Sequence, residues 1–341
     1  MQTRKSYINT DIDYDRDGKQ VGTLRLPYSR NTSAWGIIPI PVAVVRNGAG
    51  PTVLLTAGNH GDEYEGQITL NNLIRTLEPG QIQGRVIILP ALNFPAAMAG
   101  RRVSPVDGLN LNRSFPGDPD GSPTQQIADY VTTVLIPMAD AFMDLHSGGY
   151  SMHAIPTAII YRPKTPELLD RTIRAAELWG CPIGIVLDDL GERRTVDAIC
   201  RDRGLLKLGT ELAGAGGVST EALAIAETGI WKLLQYFGVL AAEPPPPRRP
   251  APEPVKLRLT EITGPESYVY ATGNAVFEPN FALGDEVAAG DTAGWQHYLD
   301  EIDRDPVTLR FRKSGMVACS RGPGRVAPGD LVAVVVSAFA R

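Results

Sequence analysis

The 341-residue chain carries only four histidines: His60, His146, His153 and His297. Two of them stand just past apolar runs. His60 lies in Thr56-Ala-Gly-Asn-His-Gly-Asp-Glu63, and His146 lies in Asp144-Leu-His-Ser-Gly-Gly149. Imidazole nitrogen and carboxylate oxygen are donors that Zn²⁺ favours, and a catalytic zinc keeps three protein ligands and one open position. His60 and Glu63, three residues apart across a turn, can converge on one ion. His146 from a different strand would complete a His₂Glu set. The HxxE spacing alone is a weak signal, because polar residues are ordinary at strand ends. His153 and His297 have no comparable surroundings and are read as non-catalytic.

Two further clusters can bear chemistry. The stretch Gly108-Leu-Asn-Leu-Asn-Arg-Ser-Phe-Pro-Gly117 sets Asn112 and Arg113 before a tight turn. A guanidinium fork grips a carboxylate through two bonds, and a neighbouring amide adds specificity. In Gly209-Thr-Glu-Leu-Ala-Gly-Ala-Gly-Gly217, Glu211 ends an apolar run before a glycine-rich loop. A carboxylate buried there needs a partner or a raised pKa. A raised pKa near an activated water is what a general base requires.

The elements that must position these residues follow from hydrophobic periodicity. Apolar runs at 52–57, 85–89, 141–145, 157–161, 183–187 and 205–212 read as strands. Helical periodicity marks a helix through Leu70, Leu73, Ile74 and Leu77 that Pro79-Gly80 stops, and further helices at 124–135, 166–179 and 219–237. Strand–helix alternation of this kind predicts an α/β fold with a largely parallel sheet, whose ligands collect at the carboxyl ends of the strands. His60, His146 and Glu211 all stand at such ends.

Residues 243–254 read EPPPPRRPAPEP, which suits neither helix nor central strand and reads as a linker. It divides residues 1–242, the α/β domain with an N-terminal β segment, from residues 255–341. The latter hold short β-type runs at 268–271 and 330–336 between Gly- and Pro-containing turns, and read as a small all-β domain.

Hydrophobic residues make up 43% and charged residues 21%, which suits a globular enzyme with a sizeable core. A net charge of -5 argues against a broad nucleic-acid footprint. Cys181, Cys200 and Cys319 are odd in number and widely spaced, so no disulfide framework is expected. Residues 1–13 lack an apolar signal core, and no apolar run approaches the ~20 residues of a membrane helix. A cytoplasmic protein acting without a membrane is expected, with no interface signature to fix its oligomeric state.

Taken in order, HxxE, NRxFPG, DLHSG and TEL resemble the succinylglutamate desuccinylase/aspartoacylase family, relatives of the zinc carboxypeptidases, over roughly residues 50–240. The resemblance implies a mixed eight-stranded sheet flanked by helices and one Zn²⁺ per chain held by His60, Glu63 and His146. It implies Glu211 as general base, and Asn112 and Arg113 as the grip on a substrate carboxylate. An arginine upstream of that pair polarises the scissile carbonyl; Arg102 is preferred over Arg101. Relatives often carry an aspartate two residues before the Asn-Arg pair, bonded to a ligand histidine. Here that position is Asn110, which can accept the imidazole N–H without carrying charge, and Asp144 is a substitute on the strand below His146. The contexts at 58–67 and 103–117 look most like the branch that deacetylates Nα-acetyl-2,4-diaminobutyrate in ectoine breakdown. The tail resembles a lipoyl-type barrel without an attachment lysine, Lys313 being read as a surface residue. The expected activity is hydrolysis of a small N-acyl amino acid, with selectivity set by loops such as 150–156 and 188–194. The alternatives are a metallocarboxypeptidase acting on peptides and a non-catalytic zinc-binding protein.

Overall fold

The structure is a computed structural model that describes residues 6–188, 192–245, 248–250, 253 and 255–340. Parts of the 188–194 loop and of the Pro-rich stretch lie outside the described residues.

The chain opens with a long hairpin, β1 (Gly18–Pro27) and β2 (Ile37–Asn47), paired antiparallel from Gly18↔Arg46 to Pro27↔Ile37. There follow β3 (Thr52–Ala57), α1 (Tyr64–Thr76), β4 (Gly84–Leu89), α2 (Phe94–Ala99), α3 (Pro123–Tyr130) and β5 (Ala141–Leu145). Then come β6 (Met152–Ala154), β7 (Thr157–Tyr161), α4 (Pro166–Trp179), β8 (Ile183–Leu187), α5 (Val196–Arg203), β9 (Leu206–Glu211) and α6 (Thr220–Tyr236). The sheet runs β1-β2-β4-β3-β5-β9-β7-β8. Strands β4, β3, β5 and β9 are mutually parallel, as are β7 and β8, while β7 meets β9 antiparallel. These eight strands form the expected mixed arrangement, but the sheet does not end at β8: with β6 and strands of the tail it reaches fourteen.

Alternation along the strands explains the layers. In β3 every residue is buried, with Val53 and Leu55 on one face and Leu54 on the other. The first face packs against α1, α4 and α6 through Leu70, Leu73, Ile173, Trp179, Ile225 and Ile230. The second packs against α3 and α5 through Ile127, Ala128, Val196 and Cys200. A strand covered on both sides must be apolar on both sides, which is why these runs are continuous in the sequence.

Helix α5 was not anticipated from the sequence. It is short and rich in charge (VDAICRDR), and its apolar residues follow no long period. Its start is fixed by the Thr195 hydroxyl, which accepts the Ala198 N–H at 3.2 Å.

Beyond the Pro-rich stretch lie β10 (Arg258–Glu261), β11 (Tyr268–Tyr270), β12 (Ala275–Pro279), β13 (Glu286–Val287), β14 (Thr292–His297), β15 (Val307–Arg310), β16 (Gly315–Arg321), β17 (Arg325–Val326) and β18 (Leu331–Ala338). A four-stranded antiparallel sheet, β15-β14-β12-β17, packs on the β11–β18–β16 group around Phe277, Phe311, Val317 and Val335. Strand β10 pairs parallel with β8 and antiparallel with β18, and so carries the large sheet across the Pro-rich stretch. Strand β16 also pairs with β6, eight residues or fewer past His146. The Pro-rich stretch itself is tied down where it is described. Arg248 donates to Asn72 and Arg249 pairs with Glu227, each at 2.7 Å, on α1 and α6.

Candidate active site

The loop leaving β3 is pressed against the start of the chain's next layer. A Cβ at Gly61 would stand 1.9 Å from the Ala96 carbonyl oxygen, so only glycine allows the approach. The Gly61 N–H bonds the Arg101 carbonyl at 2.8 Å, which joins this loop to the one carrying Arg102. His60 and Glu63 are thereby held over the carboxyl edge of the sheet. His146 follows β5 and is anchored to β9, its N–H bonding the Thr210 hydroxyl at 3.0 Å and its carbonyl accepting the Leu212 N–H at 3.1 Å.

The three side chains converge. His60 Nδ1 lies 2.6 Å from Glu63 Oε1, and His146 Nδ1 lies 2.8 Å from Glu63 Oε2. The imidazole centroids are 5.1 Å apart. One donor atom from each of His60, Glu63 and His146 falls within 4.8 Å of the others, and all three residues are buried. Each imidazole has its far nitrogen fixed: His60 Nε2 is 3.1 Å from Asn110 Oδ1, and His146 Nε2 is 2.8 Å from Asp144 Oδ2. Asp144 is steadied by the Thr56 hydroxyl at 2.6 Å, from its cross-strand neighbour on β3. Asp144 therefore does not stand in for Asn110: each serves its own histidine. Orienting acceptors behind both rings leave the two Nδ1 atoms facing the shared centre, the arrangement a metal-binding pair needs.

Electrostatics reinforce the geometry. Burial alone would discharge His146, but Asp144 and Glu63 outweigh it and hold the imidazole pKa well above its ordinary value. Burial would likewise raise Glu63, yet His60 and His146 bring it below the usual carboxylate range. A divalent cation taken up by His146 must therefore displace the proton its imidazole holds.

Glu211 ends β9 beside this centre. Burial, with help from the Glu63 carboxylate, pushes its carboxyl up to about 8. Its Oε2 is shielded from solvent and has no hydrogen-bond partner among the described residues. Arg102 reaches in from the other side, with Nη1 3.5 Å from Glu63 Oε1. Of the two arginines considered, it is Arg102 that lines the cavity.

That cavity has a volume of about 230 Å³ and is lined by His60, Arg102, Asn112, Arg113, His146 and Glu211 together. Six of the seven expected site residues thus share one wall, and the seventh, Glu63, touches both histidines without lining the cavity. Asn112 Oδ1 accepts the Val196 N–H at 3.3 Å, so its amide nitrogen is left for other partners. Arg113 Nε is 3.5 Å from Glu192 Oε2.

The remaining histidines lie elsewhere. His153 sits on β6 against Ser320, and His297 pairs with Glu278 at 2.6 Å on the surface. Lys313 bonds Thr263 and Ser267.

The sequence reading missed Lys207, Asp197 and Glu192, which also line the cavity. Lys207 had left a signal: it interrupts the apolar run Leu205-Leu206-Lys207-Leu208, and it sits two and four residues before Gly209 and Glu211, on the same strand face. Asp197 left none, because α5 was not recognised.

Residues 49–237 match the succinylglutamate desuccinylase/aspartoacylase catalytic domain. Over 334 residues the chain is 42% identical to the N-alpha-acetyl-L-2,4-diaminobutyric acid deacetylase of Halomonas elongata, covering 98% of this chain and 96% of that one. A solved succinylglutamate desuccinylase/aspartoacylase from Rhodobacter sphaeroides superposes with a TM-score of 0.91 at 44% identity, over 98% of this chain and 100% of the other. The product-bound ectoine utilization protein EutE (DoeB) from Ruegeria pomeroyi also gives 0.91, at 39% identity over 98% and 99%.

Proposed function

This chain belongs to the succinylglutamate desuccinylase/aspartoacylase family, and from that membership we propose that it is a zinc-dependent deacetylase of Nα-acetyl-2,4-diaminobutyrate. It is an enzyme that hydrolyses the amide bond of N-acyl amino acids. The observation that carries the zinc reading is the convergence of one ring nitrogen each from His60 and His146 and a Glu63 carboxylate oxygen within 4.8 Å, beside a Glu211 carboxyl whose Oε2 has no hydrogen-bond partner among the described residues. Two imidazoles and a carboxylate match the donor chemistry of a catalytic zinc, and three donors leave a position open where a structural site would be closed by four. A zinc ion held there supplies a Lewis acid that acidifies water and polarises a carbonyl.

The remaining chemistry falls to the chain. Glu211 accepts the proton of the attacking water and later gives it to the leaving amine. Arg102 places its guanidinium where negative charge gathers on the carbonyl oxygen. Asn112 and Arg113 take the substrate α-carboxylate and so fix the amide before Glu211. A cavity of about 230 Å³ suits one acylated amino acid better than a peptide.

We take residues 1–242 as the catalytic unit and 255–341 as an accessory β unit joined at 243–254. The 49–237 family match, lying within the first, supports this division. Three buried free cysteines favour a reducing, cytoplasmic setting.

The test is a deacylation screen of the zinc-loaded protein against Nα-acetyl-2,4-diaminobutyrate, N-acetylaspartate, N-succinylglutamate and a C-terminal dipeptide. The diaminobutyrate derivative should give the highest kcat/KM. Preference for the dipeptide would favour a carboxypeptidase, and no turnover with any substrate would defeat the reading.

A further inference from the structure

On β9, Lys207, Gly209 and Glu211 alternate onto the cavity face. Glu211 belongs to the chemistry; Lys207 has not been given a task. It is buried within a sheet strand, where a lysine needs a partner. A Cβ at Gly209 would stand 3.1 Å from Lys207 Nζ, so the bare glycine makes room for the ammonium to lie along the strand. That ammonium meets Asp197 Oδ1 at 2.5 Å. The pair is almost closed to solvent, Lys207 being 5% and Asp197 13% exposed along their side chains, and both line the cavity.

Asp197 sits in the first turn of α5, next to Val196, whose N–H is bonded to Asn112. The residue proposed to grip the α-carboxylate and this aspartate are thus held by one short element. A substrate with its carboxylate at Asn112 and Arg113 and its amide before Glu211 has its side chain left to face the rest of the wall. That wall includes Ile159 and Leu187, which suit methylenes, and Asp197.

Resting on the proposed function, we propose that Asp197, positioned by Lys207, receives the side-chain ammonium of the diamino acid and so sets the enzyme's specificity. A carboxylate has about four acceptor sites. Asp197 Oδ1 serves Lys207, which takes up one of these sites. Of the other two acids of the wall, Glu211 belongs to the chemistry and Glu192 is already occupied: Arg194 bonds it at 3.0 and 2.8 Å, and Arg113 lies 3.5 Å away. A neutral side chain of the same length would cover the Asp197 oxygen without satisfying it, and an anionic one would meet like charge.

The experiment compares kcat/KM of the zinc-loaded full-length protein for Nα-acetyl-2,4-diaminobutyrate and for Nα-acetylnorvaline, which carries a methyl in place of the ammonium. The parent should prefer the diamino substrate by about 10²-fold or more, chiefly through KM. In the double variant Asp197→Asn, Lys207→Met, which leaves no unpaired buried charge, that ratio should fall towards one. Asp197→Glu, which keeps the pair with Lys207 and advances the carboxylate by one methylene, should move the preference to Nα-acetyl-2,3-diaminopropionate. If thermal melting shows the double variant to be unfolded, the Asp197→Glu swap decides. Equal turnover of both substrates by the parent, an unaltered ratio in a folded double variant, or an unaltered length preference in Asp197→Glu would overturn the proposal and leave deacylation standing. A parent that hydrolyses neither substrate would remove the function reading and the subsite with it.

Discussion

At the scale of single residues, the site separates groups bonded to their partners from one whose buried Oε2 has no hydrogen-bond partner among the described residues. Glu211 is that one, and its carboxyl is displaced to about 8. Its folded-state pKa lies above its ordinary value, so its stabilising contribution is present below the ordinary carboxylate range. It is lost as pH rises through about 8. Glu211→Gln imitates the neutral acid. Without zinc, it should melt above the parent near pH ~9 and close to it near pH ~4, as read by calorimetry. With zinc, the same variant should retain the metal and lose roughly 10³-fold in kcat; near-normal turnover would refute the general-base role. Asp144 behaves oppositely, because its work is to orient His146 from 2.8 Å. Asp144→Ala should weaken zinc affinity by about 10- to 100-fold, measured by competition with a chelator of known affinity.

Elements decide where such residues arrive, and here the reach of the sequence is uneven. His60, His146 and Glu211 were legible because each stands at or just past the end of a continuous apolar run, and Glu63 because it follows His60 by three residues; parallel strands bring those run ends to one edge. Asp197 was not, because its place depends on α5 folding back so that Val196 bonds Asn112, a contact spanning 84 residues. Asn110 was legible as a departure, but its division of labour with Asp144 needed the structure. A comparable long-range tie holds the Arg102 loop. Asp107 accepts from the Thr124 N–H at 2.9 Å, the Thr124 hydroxyl at 2.8 Å and the Ser122 hydroxyl at 2.8 Å, capping the start of α3 from a distance. Burial would raise its pKa, but these bonds bring it below the ordinary range. Its stabilising contribution is therefore present above the ordinary carboxylate range and lost as pH falls through the lowered value. Asp107→Ala should cost about 1–2 kcal/mol at neutral pH, and less in acid. Equal losses at both pH values would contradict the capping role.

For the whole molecule, the sequence suggested two units joined by a loose connection, and the sheet crosses that connection. Strand β10 covers the edge of β8, and Ile183 and Ile185 pack against Met316, Ala318 and Val336 from the tail. The tail also holds β6, just past His146, through Cys319↔Ala154 and Ser320↔His153. A chain ending at residue 250 would expose an apolar edge strand and free the loop that follows His146. It should be largely insoluble, and any soluble fraction should bind zinc weakly; a soluble, fully active fragment would contradict this. The proposed hydrolysis needs one cation between His60, Glu63 and His146. The most direct measurement is metal content together with turnover in the purified protein, before chelation, after chelation and after zinc return. The expected result is one zinc per chain, activity lost and restored with it, and neither metal nor activity in His146→Ala. Full turnover by the stripped protein, or an undiminished metal content in His146→Ala, would contradict it.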